Sequence, residues 1–164
     1  MAVRVRVEQS INLLIEKIID TPENSLEFSQ NETVDEQLYQ SKIDMLDSLS
    51  KKVLIDSGTE PPVFNEYNNN YKLGNYHCKL CNQLLFSSKD KYNSGTGWPS
   101  FTKPFVKKST IYEIDKTFRI PRIEVKCSKC HSHLGHVFDD GTDSTNLRYC
   151  INSAAMIFNP TKEK

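Results

Sequence analysis

A mainly β domain preceded by two helices is what this sequence predicts, and three observations predict it. Apolar residues recur at helical spacing only ahead of Asp56. Beyond "DSGTEPP" (56–62), short alternating runs separated by Gly, Pro, Asn and Asp take over. Two Cys-x-x-Cys turns, "CKLC" and "CSKC", then offer a four-sulfur tie within that second part.

The elements follow in order. Ile11, Leu14, Ile15, Ile18 and Ile19 form the stripe of a first helix, with Pro22 as its stop. "TPENSLEFSQNE" reads as a loop. Thr33 and Glu36 have the spacing of a capping box opening a second helix, with Leu38, Met45, Leu46, Leu49 and Val53 as its apolar stripe. "TIYEI" and "TFRIPRIEV" alternate as strands do, and Pro121 inside the second predicts an edge or a bulge. In the last run Leu147, Tyr149 and Ile151 share one face, while Arg148, Cys150 and Asn152 share the other. Cys150 therefore lies on the polar face of its own strand.

A chain of 164 residues, 37% hydrophobic, suits one domain with an N-terminal appendage and is long enough to bury a core. No run approaches a membrane span, and "MAVRVRVEQS" lacks the apolar stretch of a secretory signal. Arg4 and Arg6 hint at organelle targeting, but Glu8 and Glu16 argue against it. The expected setting is the reducing cytoplasm, where thiols stay free or bind metal. Formal charge is zero but uneven: residues 20–66 hold eleven acids and three lysines, and residues 72–129 hold twelve basic residues and four acids. That pattern fits a solvated acidic lead-in beside a mildly basic domain and disfavours a nucleic-acid binder.

Cys78, Cys81, Cys127 and Cys130 supply the four thiolates of a closed structural zinc site. Such a metal contributes about 10–16 kcal/mol of apparent binding energy toward folding. The 45 residues between the pairs exceed a simple zinc ribbon, so the fold must bring the turns together. Redox Cys-x-x-Cys motifs, or buried small hydrophobes, are the competing reading. With four sulfurs so committed, Cys150 is the remaining thiol. Arg148 favours its anion and Asn152 is placed to orient a water or a substrate oxygen, which suits a nucleophile, whereas buried packing is the plainer role for a free cysteine. "CHSHLGHVF" carries His131, His133 and His136, three of four histidines, readable as pocket proton donors, a spare zinc ligand or a three-histidine metal site. Trp98, in "SGTGWPSF", is either core or the rigid aromatic face of a pocket, and its glycines are wrongly spaced for a phosphate loop.

Taken together, "GTEPPVFNEY", "GNYHCKLCNQLLF", "SGTGWPSF", "CSKCHSHLGHVFDDG" and "LRYCINSAAMIF" resemble the methionine-R-sulfoxide reductases of the MsrB type, in order over roughly residues 45–160. The resemblance implies a catalytic domain at 45–164 behind an N-terminal helical extension at 1–44. It implies two antiparallel sheets forming a β-barrel-like fold. The activity it implies is reduction of protein-bound methionine-R-sulfoxide, the reversible lesion whose two epimers need separate enzymes. Cys150 matches the nucleophile that attacks the sulfoxide sulfur and becomes a sulfenic acid. His133 and His136 match the histidines that help protonate the sulfoxide oxygen, with Asn152 a polar residue beside them. Trp98 matches the aromatic residue against the substrate methyl group, and Arg148 resembles a residue of the same pocket. The four paired cysteines match a structural zinc, one per chain, found in many members. Oxidised proteins and peptides are the implied substrates, thioredoxin or another thiol the implied reductant, and oxidative-damage repair the implied role. The expected chain is a monomer without nucleic-acid or membrane partners.

One departure is informative. Many relatives carry a resolving cysteine just before "GWPSF", where this chain has Thr96. A one-cysteine enzyme, its sulfenic acid reduced by an external thiol, is the expectation. "DDGT" departs more mildly, since relatives often place proline after the glycine. The main rival is a zinc-ribbon-like binding module with a structural Cys150. For residues 1–44 a helical cap is expected, ahead of a partner-binding arm or a targeting sequence.

Overall fold

The computed structural model describes residues 2–19 and 32–162. Helix α1 (Ala2–Ile19) buries Leu14 and Ile18, and Ile11 and Ile15 pack against the same core, as the stripe predicts. Pro22, nearly all of "TPENSLEFSQNE" and the side chain of Ile19 lie outside the described residues. Among the described residues no helix is long and apolar enough to cross a membrane.

The expected second helix is two. Helices α2 (Glu36–Asp44) and α3 (Ser48–Leu54) are each N-capped by an aspartate. The Asp35 carboxylate accepts from the Leu38 N–H at 3.1 Å and that of Asp47 from the Ser50 N–H at 2.8 Å. Thr33 stays outside the helix, so the capping box does not form. The break re-aims the chain: Ile43, Val53 and Leu54 are buried, whereas Leu38 and Met45 are 70% and 86% exposed. A nine-residue and a seven-residue helix each satisfy a different face of the domain, which one straight stripe cannot do.

Among the described residues nine strands follow: β1 (Gly74–Cys78), β2 (Leu84–Ser87), β3 (Lys91–Tyr92), β4 (Ser100–Phe101), β5 (Thr110–Asp115), β6 (Arg122–Cys127), β7 (His133–Phe138), β8 (Arg148–Ile151) and β9 (Met156–Pro160). They make two antiparallel sheets, a three-stranded β2-β1-β9 and a six-stranded β3-β4-β8-β7-β6-β5. The expected barrel is not formed. Closure requires every edge to be paired, and here β3 and β5 end the large sheet while β2 and β9 end the small one. With only two residues each, β3 and β4 give too short a ladder to carry the sheet round onto itself. Pro121 also sits differently than predicted. It precedes β6, an interior strand, so the missing N–H falls before the ladder begins.

Aromatic rings join the sheets. Phe86 of the small sheet stacks on Phe101 of the large one at 4.5 Å, and Tyr76 meets Phe101 edge-on at 5.2 Å. Phe158 and Tyr149 extend the cluster to β9 and β8. Such ring pairs contribute roughly 0.5–1.5 kcal/mol each beyond area burial. Their anchorage of Tyr149 fixes the strand that carries Cys150.

Candidate active site

Cys150 sits in the interior of the large sheet, opposite Ser100 of β4 and opposite His136 of β7. The core face of β8 is Tyr149 and Ile151, both buried, as the alternation predicts. The other face is not solvent but a small cleft of about 80 Å³, lined by Thr59, Trp98, Arg122, Gly135, His136, Phe138, Cys150, Ile151 and Asn152. Burial pushes the Cys150 thiol up; Arg148, followed by Thr96, pulls it down without cancelling that effect. The anion favoured by Arg148 is thus outweighed by desolvation, and the resting residue at neutral pH is a thiol. Arg148 is itself held by both oxygens of Asp140, at 2.8 and 3.1 Å, and its third nitrogen, Nη1, is buried without a hydrogen-bond partner.

His133 and His136 are three residues apart, which places them on opposite faces of a regular strand. A β-bulge changes that. Lys126 pairs with His133 and Val125 with Gly135, leaving Leu134 as an extra residue. The two imidazoles consequently come together, centroids 5.4 Å apart. Each has a carboxylate: Glu124 lies 2.6 Å from His133 Nδ1, and Asp115 lies 2.8 Å from His136 Nε2. His133 Nε2 is buried without a partner. Burial, more than anything else, keeps the His136 pKa below the ordinary imidazole range, although Asp115 opposes it. His131 stands apart, turned out beside Glu32 at 3.3 Å.

Asn152 and Trp98 are bound into the scaffold by one acidic residue. Asn152 accepts from the Glu60 N–H at 3.0 Å and donates to the Leu134 carbonyl at 2.9 Å, so both ends of its amide are engaged. Trp98 Nε1–H donates to the Glu60 carbonyl at 3.0 Å. The Glu60 carboxylate, 3% exposed, accepts from the backbone N–H groups of Ser153 and Ala154. The aromatic wall, the amide and the end of β8 thus share a single buried hub.

The two Cys-x-x-Cys turns meet as the sequence requires. Cys78, Cys81, Cys127 and Cys130 are buried, with all four sulfurs within 4.8 Å of one another. Cys78 and Cys130 are 3.6 Å apart, and Cys81 and Cys127 3.5 Å. A tetrahedral zinc with Zn–S near 2.3 Å places sulfurs about 3.8 Å apart, so the cluster fits. Cys130, then Cys78 and Cys81, pushes the Cys127 thiol up, because sulfurs this close cannot all ionise without a cation between them. Each turn closes through a left-handed residue, Asn82 (φ 62°) and His131 (φ 60°). His131 is therefore a turn former, and among the described residues only the four cysteines cluster as metal ligands.

Residues 46–160 match the family model described as the SelR domain. The chain belongs to the SelR-domain, or MsrB, family. It is 40% identical over 129 residues to a peptide methionine sulfoxide reductase MsrB of Cellvibrio japonicus, covering 79% of this chain and 90% of that protein. The MsrB of Burkholderia pseudomallei is 45% identical over 120 residues, covering 73% and 84%. That of Bradyrhizobium diazoefficiens is 42% identical over 135 residues, covering 80% and 97%.

Within this SelR-domain protein, Thr96 stands close enough to Cys150 to help pull its thiol down. Its hydroxyl also meets Ser94 at 2.8 Å, which meets Ser100 at 2.7 Å. Sequence reasoning did not single out Glu60, Asp115, Glu124, Arg122, Phe138 or Asp140. Their only local signals were a Glu beside two prolines and an acid within each of two alternating runs.

Proposed function

We propose that this chain reduces methionine-R-sulfoxide in oxidised proteins and peptides, with Cys150 as nucleophile and with His133 and His136 managing the proton. The observation that carries the residue roles is the cross-strand pair His136–Cys150 inside a cleft walled by Trp98. The resting site holds a thiol and a neutral imidazole, and a sulfoxide is a poor electrophile until its oxygen gains a proton. On attack, the proton leaving Cys150 reaches the sulfoxide oxygen by way of His136, while Asp115 steadies the transient imidazolium. The substrate sulfur is reduced by two electrons to a thioether. Its oxygen passes to Cys150, whose sulfur is oxidised to the sulfenic acid. Two external thiols, those of thioredoxin for example, then return it to the thiol, with release of water and formation of their own disulfide.

Trp98 supplies the apolar wall for the S-methyl group, and Arg148 stabilises the thiolate as it forms. Asn152, with both amide ends engaged, holds the Glu60 segment against β7 and β8. Zinc is the metal best suited to the Cys78–Cys81–Cys127–Cys130 cluster, where it has no open position for chemistry and braces the end of the β6–β7 hairpin that carries the bulge. Residues 1–44 are proposed as a helical cap on the catalytic domain at 45–164, a reading supported by burial of Leu14, Ile18 and Ile43 in one cluster with the strand residues. A reducing compartment such as the cytoplasm suits a thiol that must be regenerated at each turnover.

The test is reduction of a racemic methionine-sulfoxide peptide by dithiothreitol, with the epimers resolved and Cys150→Ser run alongside. Loss of the R epimer alone, abolished by the substitution, is expected. If folded, zinc-replete protein consumes neither epimer, a zinc-bound binding module with a structural Cys150 replaces this reading.

A further inference from the structure

The arginine that lines the cleft is not Arg148 but Arg122, and it is in a different state. Arg122 opens β6 and lines the same small cavity as Cys150, Trp98 and Asn152. Its guanidinium lies over the Phe118 ring at 3.9 Å and toward the Phe138 ring at 5.8 Å. Stacking of this kind fixes the plane of the guanidinium and leaves the in-plane N–H fork open to a planar partner, the geometry that matches a carboxylate. Arg148, by contrast, is already paired with both oxygens of Asp140.

Among the described residues no carboxylate performs that service for Arg122. Asp115 is its register partner across β5 and β6. The Asp115 oxygens are taken elsewhere, however: Oδ2 meets His136 Nε2 at 2.8 Å, and Oδ1 accepts from the Thr117 N–H and hydroxyl at 2.9 and 2.6 Å. The rings beside the guanidinium are apolar, and Phe118 is 39% exposed. An arginine stacked, oriented and unpaired beside a nucleophile is arranged to receive an anion from the substrate.

We propose that Arg122 is a specificity-determining residue that binds a carboxylate of the substrate close to the sulfoxide, a proposal that rests on the reductase reading above. The carboxylate comes either from an acidic side chain next to the oxidised methionine or from the α-carboxylate of that methionine itself. Both sources present the same planar anion, and the cavity, no larger than about 80 Å³, holds only groups near the reacting sulfur.

The experiment compares four sulfoxide substrates at low ionic strength: a neutral blocked Gly–Met(O)–Gly amide, the same peptide with Asp before or after the methionine, and blocked Gly–Met(O) with a free terminal carboxylate. Wild type, Arg122→Gln and Arg122→Lys are run, and a melt verifies folding. A carboxylate is expected to raise wild-type kcat/KM about fivefold, mainly through KM, with the gain shrinking in high salt. In Arg122→Gln the anionic-to-neutral ratio falls to about one, and Arg122→Lys retains part of it. A gain confined to the Asp peptides assigns the side-chain source; one confined to the free terminus assigns the α-carboxylate. Equal kcat/KM across the set in wild type overturns the proposal while leaving the reductase intact. So does a ratio that survives Arg122→Gln. If folded wild type reduces none of the four, the reductase reading fails and the proposal fails with it.

Discussion

Gly135→Ala tests whether the β7–β8 ladder sets the position of the nucleophile. A Cβ on Gly135 would lie 2.0 Å from the Cys150 carbonyl oxygen, and 3.0 Å from both the Cys150 carbonyl carbon and the Ile151 Cα. The ordinary limit for such a C···O approach is roughly 3.3 Å. The two strands must therefore separate by about 1.3 Å, and the obstacle is backbone, which has no rotamer to yield. Cys150 lies on the displaced strand, directly across from His136. A misplacement of about 1 Å costs on the order of a hundredfold in rate, and overpacking costs a further 1–3 kcal/mol or so of stability. The assay pairs kcat/KM on a neutral sulfoxide peptide with a urea melt, on protein shown to hold its metal. Expected is a folded but destabilised variant with at least a tenfold drop in kcat/KM. Wild-type stability together with wild-type turnover would refute the reasoning, since it would mean that β8 can retreat without disturbing Cys150.

Arg148→Met removes the main influence pulling the Cys150 thiol down and leaves burial unopposed. The thiolate fraction at neutral pH falls, and the alkaline-rising limb of iodoacetamide alkylation at Cys150 moves to higher pH, by about tenfold in rate for each pH unit; an unmoved profile removes Arg148 from this role. Cys127→Ser, or chelation of the native protein, should release zinc and lower the melting temperature sharply, because metal binding contributes to folding directly. A variant that melts like wild type without metal would show the cluster to be ordinary packing. Thr96→Cys should supply a resolving thiol: after one equivalent of sulfoxide without reductant, the variant forms an internal disulfide where wild type accumulates a sulfenic acid trappable by dimedone. If the variant still traps as a sulfenic acid, position 96 does not reach Cys150 in the oxidised enzyme.

The strand-face assignment of Arg148 to Ile151, the α1 stripe and the two metal-binding turns were all legible in the sequence, because each depends on periodicity or spacing within a few residues. Where tertiary packing competes with local pattern, the reading failed. The apolar positions from Leu38 to Val53 suit one helix, but Asp47 caps a new one and turns Val53 inward. A β-barrel-like fold was expected, yet whether a sheet closes depends on pairing between distant edges, and β3 and β5 find no partner in each other. The site divides the same way. Cys150, its polar neighbours and the cysteine pairs are determined by the chain itself. That His136 lines the cleft with the His133 ring beside it is a decision of the tertiary structure, because a spacing of three puts residues on opposite faces until a bulge against β6 inserts Leu134. The carboxylates that polarise them come from β5 and β6, and the Glu60 hub reaches Asn152 across 92 positions of sequence. Periodicity reports which way a side chain leaves its own backbone; only the hydrogen-bonded register between strands determines what it meets.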